Sequence, residues 1–155
     1  MLPYRFIIVL ALALALSAGV QSQSPKRGEI RLQSGNVAYV WDGKALRSKW
    51  PRKGVSVWRF DGQYLRANSG EQSSKAYRWT GKELRPVFGT DWRRTFVWDG
   101  EYFKPKLGAK HENTWRFNGR TWKTKLGVRH NNTWIVKGEV PVAIAGLVLF
   151  GVAGR

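Results

Sequence analysis

The chain has 155 residues, with 27 Lys plus Arg against 10 Asp plus Glu, a formal charge of +17, nine Trp and no Cys. That length allows one modest domain, or one domain plus a targeting segment. The lack of Cys excludes disulfide frameworks, Cys-ligated zinc, thiol catalysis and a lipoprotein anchor. The charge points to an anionic partner, such as nucleic acid, an anionic membrane or an acidic polymer; the 43% apolar content is enough for a core, against disorder.

In chain order, residues 1–22 read as an export signal. One cation, Arg5, precedes an 11-residue apolar run from Phe6 to Leu16, then small and polar residues follow. Cleavage after Ser22 or after Gly19 fits. An uncleaved anchor is the competing reading, but even extended to Val20 the run is 15 residues, short of the ~20 that span a bilayer. Removing the segment costs only Arg5 and leaves +16. Residues 23–28 form a short linker, and residues 29–155 a single domain.

That domain is a repeat. Gly43, Gly62, Gly81, Gly100, Gly119 and Gly138 are each 19 residues apart. Four residues before each is Tyr39, Trp58, Tyr77, Phe96, Trp115 or Trp134; two before is Trp41, Phe60, Trp79, Trp98, Phe117 or Val136. Three after the first five comes Leu46, Leu65, Leu84, Phe103 or Trp122, followed at once by Arg47, Arg66, Arg85, Lys104 or Lys123. Alternation of period two around Asp-Gly or Asn-Gly predicts a β-hairpin with a tight turn, in which Asp, Asn and Gly tolerate positive φ. Thr80 and Lys137 fit that turn poorly, and a three-residue turn with a bulge at the Gly is the alternative there.

The alternation assigns faces. Trp58, Phe60 and Leu65 share one; Arg59, Tyr64 and Arg66 share the other. Phe103 and Leu107 fall opposite Lys104 and Lys106, and Trp122 and Leu126 opposite Lys123 and Lys125. One hairpin cannot bury its apolar face alone, so the copies pack side by side. Ile30–Gly35 resembles Leu65–Gly70, the second half of a unit, whereas Trp134-Ile135-Val136 is a first half without its partner. Pairing of these terminal strands predicts an all-β fold: a closed antiparallel barrel of about six hairpin repeats, or twelve strands, with no free edge.

The chain closes on fifteen apolar, Gly or Pro residues, 140–154. As a helix they reach about 22 Å, less than a ~30 Å hydrocarbon core. A core helix, an anchoring tail and a buried strand compete. The barrel favours the first, as an apolar plug in the centre.

Units of the form Trp-x-Phe/Trp-Asp/Asn-Gly, then an apolar-cation pair, then K-L-G-x-x-H-x-N-T-W resemble the β-flower proteins. Residues 104–115 (KPKLGAKHENTW) and 123–134 (KTKLGVRHNNTW), with the apolar ending beside them, carry the match, which covers about residues 29–154. The resemblance implies a shallow, radially symmetric barrel of hairpin petals. It is similar in shape to the Tubby C-terminal domain, twelve strands around a hydrophobic helix, whose relatives act at phospholipid membranes. Five complete units with split ends depart from a four-unit pattern, and Trp50-Pro51 stands where later units have Leu-Gly.

Catalysis has little support. Asp42, Asp61 and Asp99 sit at turn positions, where backbone geometry explains them. His111 and His130, 19 apart, read as loop hydrogen-bonders, since no third ligand recurs beside them. No enzyme activity, metal or cofactor is expected. Asn131-Asn132-Thr133 fits a glycosylation sequon.

The paired aromatics read as core, while the off-register Trp50 and Trp92 are candidate apolar surface contacts. The candidate anion-binding residues are the recurring cations Arg47, Arg59, Arg66, Arg78, Arg85, Lys104, Lys106, Arg116, Lys123 and Lys125, which a ring would gather into a belt. The expected function is an exported, non-enzymatic module docking on an anionic surface, foremost membrane phospholipid headgroups. A binder of envelope glycan or phosphate polymer is the alternative, and extracellular nucleic acid a third.

Overall fold

The computed structural model describes residues 26–50, 57–68, 75–126 and 132–154. The export-signal reading of residues 1–22, His130 and Asn131 of the sequon lie outside them. The strands are β1 (Gly28–Leu32), β2 (Ala38–Trp41), β3 (Ala45–Ser48), β4 (Trp58–Phe60), β5 (Tyr64–Ala67) and β6 (Ala76–Trp79). They continue with β7 (Glu83–Pro86), β8 (Phe96–Trp98), β9 (Tyr102–Pro105), β10 (Trp115–Phe117), β11 (Thr121–Thr124) and β12 (Thr133–Gly138). The one α-helix among the described residues, α1 (Val142–Leu149), follows.

Each strand pairs antiparallel with its neighbours in sequence, and β1 pairs with β12 from Gly28↔Gly138 to Leu32↔Trp134. The barrel is therefore closed, with twelve strands, and the terminal half-units complete each other as the repeat predicts. Neighbouring hairpins are tied by one recurring bond: Phe60, Trp79, Trp98, Phe117 and Val136 donate their N–H to Lys44, Gln63, Lys82, Glu101 and Arg120 carbonyls.

The turns explain the Asp-Gly signature differently from the expectation. Among the described residues only glycines take positive φ, from 87° to 101° at the five hairpin turns. Asp contributes through its side chain: Asp61 Oδ1 accepts the N–H groups of Gln63 (2.9 Å) and Tyr64 (2.6 Å). Asp42, Asp99 and Asn118 do the same. Thr80 needs no bulge, since its Oγ1 accepts the Glu83 N–H at 3.0 Å in the same turn. Lys137 is not in a turn; β12 runs on to Gly138. A Cβ there would strike the Arg27 carbonyl oxygen and lie 3.1 Å from Gly28 Cα, so only Gly fits this seam.

Inside, Ile30, Leu46, Leu65, Leu84, Phe103 and Trp122 converge on α1, whose residues Ala143–Leu149 are all buried. Residues 142–149 of the apolar ending are thus a core helix, and Val152 and Ala153 beyond it are buried as well. Pro141 begins the helix, where a missing N–H costs nothing. Phe150 ends it, stacked on Phe96 with ring centroids 3.9 Å apart. No helix among the described residues is long and apolar enough to cross a membrane.

Phe60, Trp79, Trp98 and Phe117 pack inward against the core, half-buried at the turn end of the barrel. One inward assignment needs correction. Leu107 and Leu126 are exposed, because β9 ends at Pro105 and β11 at Thr124, so the alternation stops before reaching them.

Candidate functional site

The outer face of the barrel and its loop end carry the candidate residues. β3 to β7 each present one arginine outward: Arg47, Arg59, Arg66, Arg78 and Arg85. On β8 the equivalent residue is Val97. Lys104, Arg116 and Lys123 follow on β9 to β11. Ile135 on β12 and Val40 on β2 interrupt the ring again. Between them Arg31 on β1 stands alone, so the expected circular belt is two arcs, one of five strands and one of three, with one isolated cation.

Register places cations face to face. Arg59 is opposite Arg66, Arg78 opposite Arg85, and Arg116 opposite Lys123. Directly opposed like charges destabilise a sheet unless something neutralises them.

Acids relieve half of the set. Arg47 pairs with Asp42, Arg66 with Asp61 (3.1 Å) and Lys104 with Asp99 (3.3 Å). Lys106 pairs with Glu83 (2.7 Å) and Arg116 with Glu101 (2.8 Å). Arg59, Arg78, Arg85, Lys123 and Lys125 have no such partner among the described residues.

The turn carboxylates are held below their ordinary pKa. Burial pushes Asp42 up, but the N–H groups of Ala45 and Lys44 and the Arg47 guanidinium outweigh it and hold the group near a pKa of about 2. The Tyr64 and Gln63 N–H groups, with Arg66, hold Asp61 below its ordinary value. At Asp99 desolvation again opposes, and the Tyr102 and Glu101 N–H groups with Lys104 prevail.

Comparison with protein-family models, with curated proteins and with solved structures finds no match.

The loop end adds a feature that alternation concealed. Trp50, Phe88, Leu107 and Leu126 occupy one repeat position, seven residues after the turn Gly, and are 50%, 50%, 58% and 52% exposed. Trp92, in a 3-10 turn between β7 and β8, is 49% exposed beside them. Lys49, Lys106 and Lys125 immediately precede Trp50, Leu107 and Leu126. The rim of the barrel therefore displays apolar tips with ammonium groups one residue behind.

Two aromatics were missed by sequence reasoning. Tyr64 lies between the Arg66 and Arg78 guanidiniums (4.7 and 5.9 Å from its ring centroid). Tyr102 lies between Lys125 (4.3 Å) and Arg116 (6.0 Å). Both stand two residues after their turn Gly, a position that carries Ala, Glu or Thr in the other hairpins, so no uniform signal marks it. His111 sits in the equivalent 3-10 turn of the next loop and is exposed; among the described residues no three metal-ligating side chains gather.

Proposed function

We propose that this protein is an exported, non-enzymatic module that docks its loop end on an anionic phospholipid surface. The observation that carries the reading is the rim: four large apolar side chains at one repeat position, exposed in a ring, with lysines directly behind three of them. A monomer that stayed in water would gain nothing from that arrangement, whereas an interface accepts apolar tips and attracts the cations behind them. Each Lys or Arg near an anionic leaflet contributes roughly 1 kcal/mol. The two outer arcs of cations supply attraction at longer range, screened by salt.

The closed barrel around an apolar helix is compatible with the β-flower shape that the repeat resembles, and assignment to that family, with its Tubby-like membrane analogy, is part of the same proposal. Export rests on the opening segment.

Vesicle co-sedimentation tests the reading. Binding to vesicles of phosphatidylcholine mixed with phosphatidylserine should exceed binding to pure phosphatidylcholine and fall with added salt. Equal binding to both at low salt would reject the electrostatic component.

A further inference from the structure

We propose that the pocket formed by the third hairpin and the loop after it is a specific site for a phosphoryl oxyanion, gripped by Arg78 and Arg85. This deepens the docking reading, on which its membrane role rests, from a diffuse belt to one pocket.

The repeat normally builds a cation together with its neutraliser. The turn Asp caps two backbone N–H groups with one oxygen and pairs with the cation five residues later through the other, as in Asp61–Arg66 and Asp99–Lys104. In the third hairpin Thr80 keeps half of the first task, accepting the Glu83 N–H alone, and lacks the charge for the second. Arg85 is left without its carboxylate.

Arg78 faces it directly across the strand pair. The other two opposed cation pairs each retain an acid: Asp61 on Arg66, and Glu101 on Arg116. Among the described residues, Arg78–Arg85 is the one opposed pair with no carboxylate on either member. Moreover, Arg78 Nε is buried with no hydrogen-bond partner among the described residues. An oxyanion held by the terminal N–H groups of the two guanidiniums relieves the repulsion between the arginines.

The surroundings fit a small anion. The pocket is about 230 Å³, below the roughly 300–1,000 Å³ that holds drug-sized ligands. Its walls include Tyr64, beneath the Arg78 guanidinium, and Trp92, with the Lys106 ammonium 4.3 Å from its ring centroid. Two acids also line it, and both are engaged: Glu83 by Lys106, and Asp91 by the Arg93 N–H at 3.0 Å. Glu83 and Lys106 cancel and Asp91 keeps its charge, so the pocket is left net positive by the two arginines. Their planar forks match phosphate oxygens in a way that a lysine cannot. Because Trp92 is also exposed at the rim, a headgroup phosphate of a docked lipid would lie close to this pocket; a soluble phosphate ester offers the same oxyanion.

The test grafts back the missing carboxylate. Thr80→Asp reproduces the turn residue of three sister hairpins, so the fold should survive, and its melting curve checks this. Calorimetric titration with inorganic phosphate and with glycerophosphate should show affinity lowered by roughly tenfold or more in Thr80→Asp, and in the exposed Arg85→Ala. Asn118→Asp makes the same charge change in the fifth hairpin and should leave the affinity within about twofold of wild type, since its cation pair already has an acid. Equal affinity in Thr80→Asp and wild type, or equal loss in Asn118→Asp, overturns the site.

Vesicles of phosphatidylcholine with phosphatidylserine separate the sources. Weaker vesicle binding by Thr80→Asp identifies the headgroup as the ligand. Loss of glycerophosphate binding with vesicle binding unchanged identifies a soluble phosphate ester. Wild-type binding to phosphate but to no vesicle upholds the site and rejects membrane docking. Wild-type binding to vesicles with no phosphate difference between variants rejects the site and leaves docking standing.

Discussion

Gly146 of α1 lies against the Phe103 ring so closely that a Cβ built on it would stand 2.5 Å from Cε1 and 2.7 Å from Cζ. Phe103 is fully buried and hemmed by Trp79, Trp98, Trp122 and Phe150, so it has no free volume to retreat into. The helix therefore threads the barrel at the one point where it has no side chain. Gly146→Ala should cost about 1–3 kcal/mol through overpacking, more than the ~1 kcal/mol that Ala gains in helix propensity. Denaturant unfolding measures this; a variant more stable than wild type would show a looser fit between helix and barrel.

The C-terminal segment fills the lumen, and its loss should be felt as loss of the core. Truncation before Val140 removes Ala143 to Leu149, all buried, from the centre of a ring whose inward side chains have nothing else to meet. The truncated chain should show no cooperative thermal transition and no near-ultraviolet dichroism from its tryptophans. If it folded normally and lost only membrane binding, the segment would be an anchor instead.

Stability should fall in acid through the turn carboxylates. Asp42 has its folded pKa lowered from 3.8 to about 2, and Asp61 and Asp99 are lowered as well. A lowered folded pKa stabilises the fold fully above the unfolded value. That contribution fades as the pH drops from 3.8 toward the folded value of about 2. Asn can serve in the turn, as Asn118 does. The triple variant Asp42→Asn, Asp61→Asn, Asp99→Asn should therefore stay folded at neutral pH while its melting temperature depends less on pH below about 4. An unchanged acid slope would place the acid sensitivity elsewhere.

The rim should matter for binding and little for folding. Leu107 and Leu126 are more than half exposed, so replacing both with Ser should leave the melting temperature unchanged. If each buries half its surface in a bilayer, roughly 1 kcal/mol apiece is at stake, and the double variant should bind anionic vesicles about thirtyfold more weakly. Undiminished binding would assign docking to the cations alone.

Much of this architecture is legible in a single chain. The 19-residue spacing of Gly43 to Gly138 sets the hairpins, the aromatic alternation sets their faces, and the half-units at Ile30 and Trp134 disclose the closure. The candidate site is less legible. Thr80 can be seen to break the Asp pattern, but its consequence depends on Glu83 being held by Lys106 and on Arg78 losing its Nε to burial. Likewise the exposed rim could not be read from alternation, because strand periodicity says nothing once Pro105 and Thr124 have ended their strands.

The division has one physical origin. A hairpin is held by contacts a few residues apart, so turn, alternation and repeat are written locally and survive as pattern in the chain. Which cations are neutralised, which leucines face water and which glycine lets the helix pass depend on side chains brought together from different hairpins. Only closure of the barrel brings those groups within reach of one another. The charge of +17 is thus abundant by composition, but its placement in two arcs, with a single pair of opposed arginines left bare among the described residues, is a property of the closed ring.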